Sequence, residues 1–227
     1  MDCDTTGVEP DFAIVKYKKL AGGGYFKIIN KSVQIALKNL NYSDDEILEI
    51  EKYTLGNAIL NIEGQLILEN CPAINCETLK ARGFSDDVIA NIDSQLKDVF
   101  DIRFAFNKFS IGEPLLHKVG LTQKEIDDPN TDFLTQLGFT DDEIEKANDY
   151  LCGTMMLEGA PYLKSEHLNI FDCASKCGKK GERYIPYMAH LNIMSAVQPF
   201  ITGAISKTVN MPQDATIEEI TNVHITA

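Results

Sequence analysis

One short pattern recurs along the chain and constrains its fold more than any other feature. Tyr42-Ser43-Asp44-Asp45-Glu46-Ile47, Phe84-Ser85-Asp86-Asp87-Val88-Ile89, Leu121-Thr122-Gln123-Lys124-Glu125-Ile126 and Phe139-Thr140-Asp141-Asp142-Glu143-Ile144 share one design. A Ser or Thr hydroxyl at the cap accepts a hydrogen bond from a backbone N–H that the first helical turn leaves without a partner. Glu46, Glu125 and Glu143 stand three residues on and complete capping boxes, whereas Val88 does not. The apolar residue before each cap and the Ile four after it form a hydrophobic staple. Acids after the cap also suit the positive end of the helix dipole. Helices are therefore expected to start near Ser43, Ser85, Thr122 and Thr140.

Two of these starts extend into a longer match. Tyr53 and Gly56 follow Ser43 at the same offsets at which Tyr150 and Gly153 follow Thr140. Ile62-Glu63-Gly64 then corresponds to Leu157-Glu158-Gly159. The pattern predicts a duplicated unit: a capped helix of about three turns closed by Gly, then a short return segment. Two copies are too few for a solenoid.

Elsewhere the signals are coarser. Phe12 to Lys18 reads as a short strand and Lys31 to Asn39 as a helix, while Asp98 to Lys108 fits either strand or loop. Pro186 suits the first turn of a helix running to about Gln198, where Pro199 ends it. Gly203 to Asn210 reads as a strand that Pro212 stops. Thr216 and Glu219 form another capping pair, so a last helix begins at about Ile217. From Tyr184 to Ser206 there is no Asp, Glu, Lys or Arg, a span long enough to cross a bilayer. Its prolines, His190, Asn192 and Gln198 are costly in lipid, so a helix buried on most sides within a globular protein is the expectation.

With 21 basic and 34 acidic side chains in 227 residues the net charge is −13. That balance disfavours nucleic-acid and anionic-membrane partners, which need clustered Lys and Arg. Six Lys and no acid nevertheless lie between Phe12 and Tyr42 (Lys16, Lys18, Lys19, Lys27, Lys31 and Lys38), around Gly22-Gly23-Gly24. The stretch is read either as an anion-facing patch or as a solvated loop and contact surface; the triglycine has neither the Rossmann nor the P-loop spacing. Met1 to Thr6 has no basic or apolar run of the signal-peptide kind, and the expectation is a cytoplasmic protein with reduced thiols. Cys71 and Cys76, Cys173 and Cys177, with His167 nearby, lack the usual zinc spacing. Neither pair is Cys-x-x-Cys, so a redox dithiol has little support either. His190 reads as a hydrogen-bonded core histidine, and no self-contained catalytic constellation stands out.

The end segments add a resemblance. Met1-Asp2-Cys3-Asp4-Thr5-Thr6-Gly7-Val8-Glu9-Pro10-Asp11-Phe12-Ala13, Lys18 to Lys27, Leu157 to Pro161, Phe171-Asp172-Cys173-Ala174 and Val197-Gln198-Pro199-Phe200-Ile201-Thr202-Gly203-Ala204-Ile205-Ser206-Lys207-Thr208-Val209-Asn210-Met211-Pro212 resemble the adenosylcobalamin-dependent (class II) ribonucleotide reductases, nearly collinearly to about Ile220. The resemblance implies an α/β, helix-rich fold that is part of a ten-stranded α/β barrel with inserted capped helices. It places barrel segments at 1–40 and 166–227 around a duplicated helical insert at 41–165. It implies a thiyl-radical reduction of ribonucleotides to deoxyribonucleotides for DNA synthesis, with adenosylcobalamin, and hence cobalt, as cofactor. A dithiol reductant and the remaining part of the reductase are the implied partners.

The family's finger-loop cysteine, its substrate-phosphate loop and its cysteine-rich tail fall outside the segments that match. No catalytic residue and no metal ligand is therefore carried over, and the chain alone is expected to be inactive. Thr6 to Pro10 follows the position of the family's phosphate loop, and Ile205 to Asn210 resembles the chain entering the barrel wall. Glu9, Pro10, Ser206 and Lys207 are thus the candidates for proximity to the active site, with an ion pair that orders the barrel rim as the plainer role. A stand-alone helical interaction module derived from the reductase is the alternative. A third reading is a metal protein built on Cys71, Cys76, Cys173 and Cys177.

Overall fold

The computed structural model describes residues 7–19, 25–59 and 65–227. Gly22-Gly23-Gly24, Ile62-Glu63-Gly64 and Met1 to Thr6 lie outside the described residues. Two strands, β1 (Val15–Lys19) and β2 (Tyr25–Ile29), pair as a two-stranded sheet. Helices follow in the order α1 (Ser32–Asn39), α2 (Asp44–Leu55), α3 (Cys76–Ala81), α4 (Asp86–Gln95), α5 (Lys108–Ile111) and α6 (Glu113–Lys118). They continue with α7 (Gln123–Asp127), α8 (Phe133–Gln136), α9 (Asp141–Cys152), α10 (Tyr187–Val197) and α11 (Ile217–Thr226). The fold is helix-rich, and the only sheet among the described residues is this hairpin.

All four repeated motifs start helices. Ser43, Thr122 and Thr140 accept from the N–H of Glu46, Glu125 and Glu143, whose carboxylates take the cap N–H in return. Ser85 caps through Val88 N–H alone. Thr216 and Glu219 make the same reciprocal pair at α11. Helices α1 and α10 also form where the sequence places them, with Pro186 at the N-cap of α10 and a 3-10 turn through Pro199 after it.

Two expectations fail. Gly203 to Asn210 runs as irregular chain rather than a strand, because alternation alone does not make one: a ladder needs a neighbouring strand, and none among the described residues pairs with it. Helix α10 is not buried on most sides; only His190 and Leu191 are buried, and Ile193 is 44% exposed. The ambiguous Asp98 to Lys108 resolves into irregular chain around a 3-10 turn at Ile102–Phe104, leading into α5.

The chain divides into two compact units, one of residues 1–16, 28–47 and 155–227, the other of 17–27 and 48–154. The second unit holds one continuous apolar core from Ala58 to Cys152, with Phe106, Ile74, Ile92, Ile102 and Leu116 almost wholly removed from water. Several of its buried polar groups are spent on backbone. The Asp93 carboxylate accepts from Leu68 N–H at 2.9 Å, and the Asn148 side-chain oxygen from Ile102 N–H at 2.9 Å. Buried Lys27 donates to the Cys152 carbonyl at the C-terminus of α9, where the helix dipole favours a cation.

Here the duplicated sequence becomes a symmetric contact. Asn57 N–H donates to Tyr150 O at 2.9 Å, and its counterpart Thr154 N–H to Tyr53 O at 2.9 Å. The side chains repeat the exchange: Asn57 Nδ2 reaches Tyr150 O at 2.9 Å and Thr154 Oγ1 reaches Tyr53 O at 3.1 Å. Gly56 (φ +88°) and Gly153 (φ +75°) lie at the centre, and a Cβ on either would collide with the backbone of the other copy. Both requirements, a positive φ and close backbone approach, leave only glycine at these sites.

The first unit is held differently. Asp11 takes Asn30 Nδ2 at 2.6 Å and Lys16 Nζ at 2.5 Å on its carboxylate, while its carbonyl accepts Ala174 N–H at 2.8 Å. Glu158, in the second Leu-Glu-Gly of the repeat, accepts the N–H groups of Glu182 and Arg183. Arg183 in turn makes a bidentate pair with Asp172, both bonds 2.7 Å. His167 Nδ1 and Tyr42 Oη share a hydrogen bond of 2.8 Å, and that hydroxyl accepts Lys164 N–H at 3.0 Å.

Candidate functional site

Two of the four candidate residues, 198 positions apart in sequence, meet in the first unit. Lys207 Nζ donates to Glu9 Oε2 at 2.6 Å, and Thr208 N–H donates to Glu9 Oε1 at 3.0 Å, so one carboxylate grips the irregular chain after α10 at two points. The Lys207 side chain is 1% exposed and that of Glu9 32%. Lys207 also donates to His190 Nδ1 at 3.0 Å and to Thr208 O at 2.6 Å. The three ammonium protons thus meet three acceptors, which is what a buried ammonium requires.

This geometry assigns the histidine tautomer. Nδ1 accepts from Lys207, so in the neutral ring the proton sits on Nε2. Nε2 is buried and has no hydrogen-bond partner among the described residues. Burial, then the adjacent Lys207 charge, push the His190 pKa below the ordinary imidazole value, with Glu9 pulling weakly the other way. The Lys207 hydrogen bond, followed by the Thr208 N–H, holds the Glu9 carboxyl below its usual range. The cluster keeps a neutral imidazole beside a paired ammonium and carboxylate.

The other two candidates stand apart. Pro10 is partly buried, and Ser206 is exposed with no side-chain hydrogen bond among the described residues. The sequence places His190 in the core, and Thr208 lies in the matched Ile205 to Asn210 stretch without being one of the candidates. The signal for His190 was there, since it is the one basic side chain in an otherwise uncharged helix.

The remaining candidates resolve as follows. No group of three or more His, Cys, Asp or Glu among the described residues is arranged to hold a metal ion. Cys71 and Cys173 are buried, and Cys76 and Cys177 half-buried. Within the lysine-rich stretch Lys16 and Lys38 pair with Asp11 and Asp44, and Lys27 is buried on a carbonyl. An open cleft of about 580 Å³ in the first unit is lined by Ala174, Ser175, Lys176, Tyr184 and residues 211–214. No described helix is long and apolar enough to cross a membrane.

A family model described as the ribonucleotide reductase barrel domain matches residues 113–227. A vitamin B12-dependent ribonucleotide reductase of Bradyrhizobium diazoefficiens is 52% identical over 226 residues, covering 99% of this chain and 17% of the relative. That of Agrobacterium fabrum is 52% identical over 220 residues, covering 96% of this chain and 17% of the relative. The enzyme of Rhodopirellula baltica is 33% identical over 99% of this chain and 12% of its own length. The chain spans about a sixth of the length of the first two relatives. Matched over half its length by the family model, the chain belongs to the ribonucleotide reductase barrel-domain family.

Proposed function

We propose that this chain is one stretch of an adenosylcobalamin-dependent ribonucleotide reductase, a cytoplasmic enzyme that makes deoxyribonucleotides for DNA synthesis. The observation that carries this reading is the match over 99% of the chain, at 52% identity, to a protein named a vitamin B12-dependent ribonucleotide reductase. In this reading residues 1–40 and 166–227 contribute to a ten-stranded barrel, and 41–165 form a duplicated helical insert. The irregular stretch 203–210 becomes a barrel strand once a neighbouring strand is present. The uncharged helix α10, buried only at His190 and Leu191, becomes covered by the rest of the enzyme.

The described residues do not by themselves make a site for the cofactor. Every proton of the Lys207 ammonium is spent on Glu9, His190 and Thr208, which leaves no charged donor in the cluster for a ligand. Cobalamin supplies homolytic cobalt–carbon cleavage when bound in the intact enzyme, and no step of that chemistry is assigned to this chain. Its role is architectural: Glu9 ties the chain after α10 to the segment preceding β1, and His190 fixes the position of Lys207. The thiyl radical, the ribonucleotide contacts and the dithiol exchange belong to the remainder of the protein.

The test is activity of the chain alone against the full-length reductase that contains it. The isolated chain is expected neither to cleave adenosylcobalamin nor to reduce a ribonucleotide, while the full-length protein does both. Turnover by the isolated chain overturns the proposal. The second reading, a helical interaction module, draws on the continuous core of the second unit. An inactive full-length protein that still captures a partner through residues 48–154 would favour it.

A further inference from the structure

Cys173 and Cys177 lie four apart in the irregular loop between the 3-10 helix Ser165–Phe171 and α10. The loop is anchored at both sides: Ala174 N–H donates to Asp11 O, and Ile185 N–H to Cys173 O, both at 2.8 Å. The two thiols are close enough to perturb each other's titration, and each donates to a nearby backbone carbonyl, Cys173 to Phe171 O and Cys177 to Ser175 O, both at 3.7 Å. Both border one small cavity with Ile14, Leu157, Leu168 and Phe171. The residues between them, Ala174, Ser175 and Lys176, line the open cleft of about 580 Å³, so the loop that carries both thiols borders open space.

The pair is asymmetric in the way an exchanging dithiol needs. Cys177 is half-buried, and the neighbouring Cys173 thiol, then the Ile14 backbone, pull its pKa down to about 7, against burial and the charges of Glu158 and Asp11. A thiol of that acidity near neutral pH combines a large thiolate fraction with useful nucleophilicity. Cys173 is buried and held protonated, first by the neighbouring Cys177, then by burial and Asp11, with Lys16 opposing. Elsewhere Cys71 is buried and pushed up to about 12, and burial and nearby acids raise Cys76.

We propose that Cys173 and Cys177 are a redox-active dithiol that closes to an intraloop disulfide by exchange with a low-molecular-weight disulfide. The Cys177 thiolate attacks one sulfur of the small disulfide; that S–S bond breaks and a thiolate leaves, giving a mixed disulfide. Capping Cys177 removes the neighbouring charge that kept Cys173 protonated. The released thiolate takes the Cys173 proton, Cys173 attacks the Cys177 sulfur, and the second small thiolate departs. Two protein thiols and one small disulfide become one protein disulfide and two small thiols, with two electrons passing to the small molecule. The inference goes beyond the reductase reading and does not depend on it.

The test treats the 227-residue chain with oxidised glutathione at neutral pH, alkylates the remaining thiols and maps tryptic peptides before and after reduction. Because Lys176 lies between the two cysteines, the disulfide appears as a linked peptide pair that separates on reduction. The expected result is that pair, with Cys177 reacting at least about tenfold faster than Cys71 in folded chain. In guanidinium the selectivity should vanish. Cys173→Ser should halt at a stable Cys177 glutathione adduct; if that variant does not fold, the wild-type map alone decides. Equal reactivity of Cys177 and Cys71 in folded chain, or a Cys177 adduct that never closes onto Cys173, overturns the proposal.

Discussion

Residues 67–152 and residues 187–227 are both mostly helix or irregular chain, yet they solve the burial problem in opposite ways. The first stretch puts an apolar side chain from nearly every helix into one core, and its buried polar groups meet backbone partners. The second buries only His190, Leu191 and Val223 in addition to the Lys207 side chain. Phe200 is 87% exposed, Ile217 84% and Ile225 78%. Helical sequence is present in both; what differs is whether the chain supplies a second surface to pack against. Burial of apolar area, more than propensity or capping, is what makes a helix stable in a protein.

The largest effect that would separate the two regions is a cavity. Phe106→Ala empties the centre of the core and is expected to cost about 4 kcal/mol, read as a fall in the urea midpoint of the main unfolding transition. Leu191→Ala should cost less than about 2 kcal/mol and leave that transition where it is, since little of α10 is packed. Equal costs would break the comparison. Next, Gly153→Ala forces a Cβ into the Gly56 backbone at a positive φ, and about 3 kcal/mol of destabilisation should follow.

Acid should open the second region before the first. His190 has a folded pKa below its ordinary value, so stability is lost as pH falls below about 6.5 toward that folded value. Glu9 is also depressed, so its contribution is present above about 4.5 and is lost as pH falls below that toward its folded pKa. Proteolysis between Lys207 and α11 is thus expected to accelerate from pH 7 to pH 4, while the core stretch stays resistant. A cut rate independent of pH would separate the cluster from the anchoring of this segment. The smallest effect is at the caps. Thr140→Ala should lower the main transition by about 1 kcal/mol, whereas Thr216→Ala should fray α11 without moving that transition.

How much of this was legible depended on the range of the interaction. The caps at Ser43, Ser85, Thr122, Thr140 and Thr216 were readable because both partners lie within three residues. Asn75 with Thr78 and Asn107 with Ser110 make the same reciprocal boxes and were passed over, although their spacing is as plain. The Tyr53–Gly56 and Tyr150–Gly153 matches announced a duplication, but not that the copies would meet glycine to glycine. Residues 98–108 were ambiguous because their shape depends on Asn148, a residue far along the chain that accepts Ile102 N–H. The strand read at 203–210 failed for the same reason in reverse: its alternation was local, and its partner is not among the described residues. Glu9 and Lys207 were chosen through family resemblance; nothing local predicts that residues so far apart make an ion pair.

The most direct measurement is hydrogen exchange on this chain alone and on the longer reductase of which we propose it is a part. The account predicts strong protection across residues 67–152 in both, and protection of α10 and residues 203–226 only in the full-length protein. Protection of α10 and 203–226 in the isolated chain equal to that in the full-length protein would contradict it, because the uncharged helix would then need no further surface to cover it.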